Sequence, residues 1–446
     1  MNPTFDTLQQ VMSLNFLSNA VSSVIDTYDA LQTLARQRIG DTLADNTVQA
    51  MIGQWDLVWG PVIFSNSADP SQPDKKVVVD NLMFVAQRND SQDYVVATAG
   101  TNPISWFGWF VEDFSVRETV PWPYGTAPAG LEPRISKGTA VGVNILWTMQ
   151  DQGLTVQDFL EQQVAQASGT MNVTVTGHSL GGALSAGTAL ALFDTQATWN
   201  PDGKAVVAAV PSAGATLGDA DFATYYSQQL GLRTNRIWNS LDIVPHAWNL
   251  SLLAQASNLY SPFLAPNLLI NGFVALASSA AAGNGYTQIN AEMPGLPSQV
   301  NLDMVFAPTP LSSLLLDLVQ DTVTGILKKH LSGITLDIAE AYVKAVIAKL
   351  KQKWGEAAFD VPQSEITARM QQENTAADLS TLGAGSLRVG ETSFPNINDF
   401  LAWLQQQFSG LLSFLGQAGY QHVTVYFYSL GIQELVARMT QIEQES

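Results

Sequence analysis

One stretch constrains this chain more than any other: Met171-Asn-Val-Thr-Val-Thr-Gly-His-Ser-Leu-Gly-Gly-Ala-Leu184. Val173, Thr174, Val175 and Thr176 are β-branched and suit a pleated, packed surface, so this part reads as a buried strand. The chain then turns through Gly177-His178-Ser179-Leu180-Gly181 and continues to Phe193 as a helix of small residues. Strand, G-x-S-x-G and helix, in that order, make a nucleophile elbow. Gly177 and Gly181 have no Cβ, so the turn can be sharp, with Ser179 held in a strained conformation and its hydroxyl presented. Gly182, Ala183, Ala186 and Gly187 let the helix pack close beneath the turn. A plain Gly-rich turn is the alternative, and the flanking strand and helix argue against it.

The segments around the elbow repeat its alternation. Residues 4–55 carry Val11, Leu14, Phe16, Leu17 and Val21 at helical spacing, which predicts two or three helices covering a sheet. Trp55 to Phe64 is extended and aromatic, as an edge strand would be, and 81–87 and 94–98 around a polar link predict a hairpin. Helices are expected over 138–150, 156–166 and 221–230, with strands over 204–211 and 236–245. This order predicts an α/β fold with a mainly parallel central sheet and helices on both faces. From about residue 250 the texture changes. Leu311, Leu315, Leu318, Val319, Val323 and Ile326, then Leu336, Ala339, Val343, Val346, Ile347 and Leu350, fall at helical spacing. Residues 250–395 therefore read as a helical insertion, a cap or interface region, within a single catalytic domain spanning 1–446. A strand pattern returns at His422 to Tyr428, followed by a short final helix.

Composition narrows the partners. The chain is 46% hydrophobic and 13% charged, enough for a large core. A formal charge of −19 argues against nucleic acid and against docking on anionic membrane by charge. With no cysteine there is no disulfide framework and no thiolate metal site, although that leaves the compartment open. The N-terminal residues have no basic region and no apolar run, so no signal peptide is expected. The most apolar window, Phe263 to Ala281, is broken by Pro266, Asn267, Asn271 and Gly272, which predicts a buried or interfacial helix and no transmembrane segment. The reading is of a soluble protein, cytoplasmic or exported without an N-terminal signal; the oligomeric state is not legible.

A serine nucleophile needs a base to take its proton and a carboxylate to orient that base. There are four histidines. His178 sits within the elbow on a turn that points it away, and His330 follows Lys328-Lys329 on an amphipathic helix. His246, four residues after Asp242, and His422, near the C-terminus, are the candidates for base. In α/β-hydrolases the order is serine, acid, histidine. Asp242 precedes Ile-Val-Pro at the end of an expected strand, so Ser179, Asp242 and His422 satisfy order and placement. A capping role is the alternative for Asp242. The oxyanion needs donors, and the N–H of Leu180 and the N–H and hydroxyl of Thr101 are the candidates. No metal or organic cofactor is needed for this chemistry. Residues 104–114, with Trp106, Phe107, Trp109 and Phe110, read either as core packing or as a lid that presents apolar surface to a lipid interface.

Several stretches together carry a resemblance to the class 3, or fungal-type, lipases. They are Val95 to Thr101, Trp109 to Phe114, Ile135 to Gly138, Val175 to Leu184, Gly218 to Tyr225, Asp242 to His246, and His422 to Phe427. The match is specific over about 80–250 and short beyond it. The resemblance implies an α/β-hydrolase that cleaves lipid esters, as triacylglycerol lipases do, at a lipid–water interface through a Ser179, Asp242, His422 triad. It also implies that His246 stands where the family often carries a non-catalytic histidine. Ala99 replaces a basic residue common in the family, and Asp242 and His422 are 180 positions apart, further than in its compact members. The absence of cysteine favours a bacterial-type relative. A phospholipase A1, a short-chain esterase and a lipolytic toxin or effector are the alternatives on the same machinery.

Overall fold

The alternation of side chains along one strand sets the layers of this molecule. The structure, a computed structural model, describes residues 3–100, 116–306, 313–372 and 387–445. Its central sheet holds five strands in chain order: β1 (Trp55–Phe64), β2 (Asn81–Arg88), β3 (Asp93–Thr98), β4 (Met171–His178) and β5 (Ala205–Ser212). Along β2, Leu82, Phe84 and Ala86 enter one core, while Met83 and Val85 enter the core on the opposite face. Both faces are therefore covered, as period-two alternation of apolar residues on a two-sided sheet requires. The first face takes α1 (Thr7–Leu17), α2 (Tyr28–Ala44), α3 (Asn46–Ile52) and the last helix, Gln433–Glu445. The second takes α4 (Lys137–Thr148), α5 (Val156–Gln166) and α6 (Leu180–Asp194).

The sheet is mixed. β1, β2 and β3 form an antiparallel meander, with the expected edge strand and hairpin, and β3, β4 and β5 run parallel. The parallel half carries the elbow between β4 and α6. Helix α6 is buried on every side from Leu180 to Leu192, which explains its near-continuous run of apolar and small residues.

The expected strand over 236–245 is not a strand. Its first part runs parallel to β5 through two isolated bridges, Ala209 with Thr234 and Ser212 with Ile237. Asn235 N–H donates to Ala209 O at 2.9 Å and Ile237 N–H to Pro211 O at 2.9 Å. Between them a ladder needs an N–H from residue 211, and proline has none. The chain leaves the sheet and closes in a 3-10 turn over Val244–His246.

After Asp242 the chain is mainly helical. α7 (Ala220–Leu230) precedes it, and α8 (Leu250–Ala256), α9 (Leu268–Ala281), α10 (Ser313–His330), α11 (Gly333–Gln352), α12 (Gln363–Gln372) and α13 (Ile397–Gly419) follow. Leu311 lies outside the described residues. Helix α9 occupies the most apolar window and buries Leu269, Ile270, Phe273, Val274, Ala277 and Ala281; among the described residues no helix is long and apolar enough to cross a membrane. Between α9 and α10 the chain returns to the body, where Tyr286–Thr287 pairs with Gly218–Asp219.

The expected strand at His422 is also overturned. Residues Tyr420–Thr424 form a π-helical turn that continues α13, and Val425–Ser429 form α14. Val423, Val425 and Tyr426 favour strands locally, but no helix breaker separates them from the 23-residue α13, and Gly419 is itself helical at φ −62°. Tertiary contacts of His422 and Tyr426, four residues apart on one helical face, outweigh the local preference.

Backbone approach at the elbow leads to a test of packing. A Cβ on Gly182 would run into the Ser212 carbonyl oxygen at the end of β5, whereas one on Gly169 would meet nothing within 4 Å. Gly182→Ala is expected to lower stability by about 1–3 kcal/mol in urea denaturation, while Gly169→Ala stays near wild type. Equal midpoints for the two variants would contradict this packing.

Candidate active site

The elbow gives the site its first residue. Ser179 has φ 61° and ψ −123°, a conformation that a non-glycine residue holds only when its surroundings enforce it. The enforcement is visible: Ser179 N–H donates to Ser212 O at 3.0 Å, and Ser179 O accepts from Ala183 N–H at 3.2 Å. A Cβ on Gly181 would lie 2.5 Å from Thr98 O, and one on Gly177 would overlap the Gly181 carbonyl, so the turn depends on both glycines.

Asp242 gives the second. It follows the segment that leaves β5 and is wholly buried. One oxygen, Oδ1, accepts from Val244 N–H at 3.0 Å; the other, Oδ2, accepts from Tyr426 Oη at 2.9 Å and lies 2.8 Å from His422 Nδ1. The π-turn gives the third. There Val425 N–H bonds to Tyr420 O, a wider step than in an α-helix, and His422 comes to lie with Nε2 2.8 Å from Ser179 Oγ. The structure thus brings Ser179, His422 and Asp242 into one hydrogen-bonded series. The arrangement holds a proton path from the serine hydroxyl to the imidazole, backed by a carboxylate that stabilises the resulting cation.

The other histidines are elsewhere. His246 lies with Nδ1 2.8 Å from the Asp242 backbone oxygen, and its ring faces Trp238. His330 is exposed in the last turn of α10. His178 is buried, with Nδ1 3.1 Å from Ser212 Oγ and its ring centroid 4.8 Å from that of His422. Leu180 opens α6 directly after Ser179, so its N–H is among those that an α-helix leaves free at its positive end. Thr101 lies outside the described residues, as do Trp106, Phe107, Trp109 and Phe110. The chain reaches Thr101 from Gly100, where a Cβ would lie 3.3 Å from Ser179 Cβ.

Sequence reasoning missed Tyr426, Asn239 and Gln421. Tyr426 was recoverable, since on a helix it shares the face of His422 at i+4, but a strand reading hid it. Asn239 donates from its backbone to Tyr426 Oη at 3.1 Å and from its side chain to Gln421 Oε1 at 2.7 Å. No local pattern signals that pairing.

A mixed sheet with this elbow and this series of side chains defines an α/β-hydrolase. Residues 130–251 match the family model "Lipase (class 3)", a span that includes Ser179 and Asp242 and ends before His422. That span is similar to the class 3 lipases, and the chain is an ester hydrolase of the lipase type. The crystal structure of M37 lipase is similar over 78% of this chain and 98% of its own, with 27% identity and a TM-score of 0.58. A Rhizomucor miehei lipase propeptide complex is 21% identical over 54% of this chain and 61% of its own, TM-score 0.35. Lipase II from Rhizopus niveus is 18% identical over 55% and 78%, TM-score 0.37. No curated protein sequence matches the chain significantly.

Two of the buried histidines give a prediction. Burial pushes the His178 imidazole well below its ordinary range, and the neighbouring His422 adds to this; burial also lowers His246. Unfolded, both groups protonate near the ordinary value of 6.5. Their neutral forms therefore support the fold above about pH 6.5, and that support is lost as pH falls toward the depressed folded values. Unfolding free energy is expected to drop between pH 7 and 5, by up to about 1.4 kcal/mol per pH unit from each group. Urea titrations of His246→Asn should show a shallower drop; an unchanged slope would contradict the assignment.

Proposed function

We propose that Ser179, His422 and Asp242 are the nucleophile, base and acid of a hydrolase acting on lipid esters, with triacylglycerol-like substrates as the class. The observation that carries this reading is the unbroken contact series, 2.8 Å from Ser179 Oγ to His422 Nε2 and 2.8 Å from His422 Nδ1 to Asp242 Oδ2. His422 Nε2 takes the hydroxyl proton as Oγ attacks the ester carbonyl, and Asp242 stabilises the imidazolium. The oxyanion is held by the N–H of Leu180, aided by the positive end of α6, and by the N–H and hydroxyl of Thr101. Collapse of the tetrahedral intermediate expels the alcohol, which takes the proton from His422. Water, deprotonated by the same nitrogen, then releases the fatty acid from the acyl-enzyme.

A lipid substrate is supported by the family and by the burial of the nucleophile. Ser179 is 5% exposed and His422 3%, so a substrate enters only after something above them moves. Trp106, Phe107, Trp109 and Phe110 are our candidates for a lid that opens at an interface, and the helical region 250–395 for a cap beside it. The M37 lipase resemblance favours a lipase over a short-chain esterase.

The test is hydrolysis of p-nitrophenyl esters from short to long chain, below and above their solubility limits. Wild type should accelerate above the limit. Ser179→Ala and His422→Ala should each lose about 10⁴-fold or more in kcat, with His246→Ala within about threefold of wild type. Smooth saturation on short esters would favour an esterase. Activity kept in His422→Ala and lost in His246→Ala would overturn the choice of base.

A further inference from the structure

Asp242 and His422 meet in a hydrogen bond between segments 180 residues apart. Beside it lies a second, wholly buried contact. Asn239, three residues before the acid, donates through Nδ2 to Gln421 Oε1 at 2.7 Å and to Gln421 O at 3.0 Å. Gln421 immediately precedes His422 on the π-turn. Asn239 Oδ1 is occupied as well, accepting from Leu241 N–H at 2.9 Å and from Ser298 Oγ at 2.6 Å. Gln421 Nε2 donates to Gln299 O at 2.7 Å.

Three distant segments therefore meet at one amide pair: the acid turn, the turn bearing His422, and the strap 296–301. The strap is held at both ends, by Leu296 N–H donating to Trp238 O at 2.6 Å and Asn301 N–H donating to Gln417 Oε1 at 2.8 Å. Beyond Asn301 the chain enters the 3-10 turn Leu302–Phe306 on its way to α10. The strap is thus one place where the helical region ties into the elements that carry Asp242 and His422.

We propose that Asn239 and Gln421 are positioning residues for ester hydrolysis, a latch that sets the approach of His422 to Asp242; this rests on the triad reading above. Two buried amides, Asn239 bonded at both donors and both lone pairs and Gln421 bonded at Nε2 and at Oε1, form a stiff joint in low dielectric. The pair acts on the reaction through its covalent neighbours. Rotating the π-turn by a fraction of an ångström changes both the Nδ1 contact to the acid and the Nε2 contact to the nucleophile. Proton transfer is sensitive to displacements of that size.

The test uses the full chain and a water-soluble short-chain ester, with kcat expressed per site titrated by a serine-reactive phosphonate. Asn239→Ala removes both donors and both acceptors, and Gln421→Met keeps length while removing the amide. Each is expected to lower kcat by about tenfold to a hundredfold, with KM within about twofold. Leu415→Ala, a buried change on α13 outside the latch, should lower the melting temperature and leave kcat per site near wild type. Should the first two variants yield no titratable sites, Asn239→Leu decides, since it is close in shape and removes the amide without adding a charge. Unchanged kcat per site in latch variants, beside an inactive His422→Ala, would overturn the latch alone. An active His422→Ala would overturn the triad reading beneath it.

Discussion

A carboxylate removed from water is the constraint on which this site depends. Asp242 is wholly buried, and an ionised carboxylate there is tolerable only when donors replace its hydration. Val244 N–H, Tyr426 Oη and His422 Nδ1 supply them, one from the acid's own turn and two from a helix that arrives 180 residues later. The C-terminal helix is therefore tied to the α/β body at its most polar buried point. The wide π-turn lets His422 and Tyr426, i and i+4 on one helix, reach the same oxygen.

The second constraint is steric. Ser179 at positive φ, with glycines before and after it packed against backbone, fixes the serine hydroxyl relative to β3, β4 and β5. Ser179 is thus positioned by the sheet, and Asp242 and His422 by a polar cluster at its edge. The two systems meet where His422 Nε2 reaches Ser179 Oγ and where the His422 ring packs against that of His178. A site assembled this way links the strap 296–301 of the long helical region to the segments that carry Asp242 and His422.

What could be read from the sequence follows the range of each interaction. The elbow was legible because its requirements are local: β-branched residues, two glycines around a serine, and small residues beneath. The meander was legible because Leu82, Met83, Phe84, Val85 and Ala86 alternate between two cores, and apolar strands bounded by polar links announce a hairpin. The strand at 236–245 failed because Pro211, on the neighbouring strand, removes one ladder bond. The strand at His422 failed because a long preceding helix and a buried carboxylate outweigh the preference of Val423, Val425 and Tyr426. The order of serine, acid and histidine still pointed to the three residues that the structure brings together. Asn239 and Gln421 stayed invisible, because an amide pair across the fold leaves no periodic trace in either segment.

The most direct measurement is covalent. The protein would be treated with a long-chain alkyl phosphonate bearing a p-nitrophenol leaving group, and the modified peptide identified by mass spectrometry. The account predicts one adduct, on Ser179, forming far more slowly in His422→Ala and at close to the wild-type rate in His246→Ala. An adduct on another residue, or labelling of Ser179 that does not depend on His422, would contradict it.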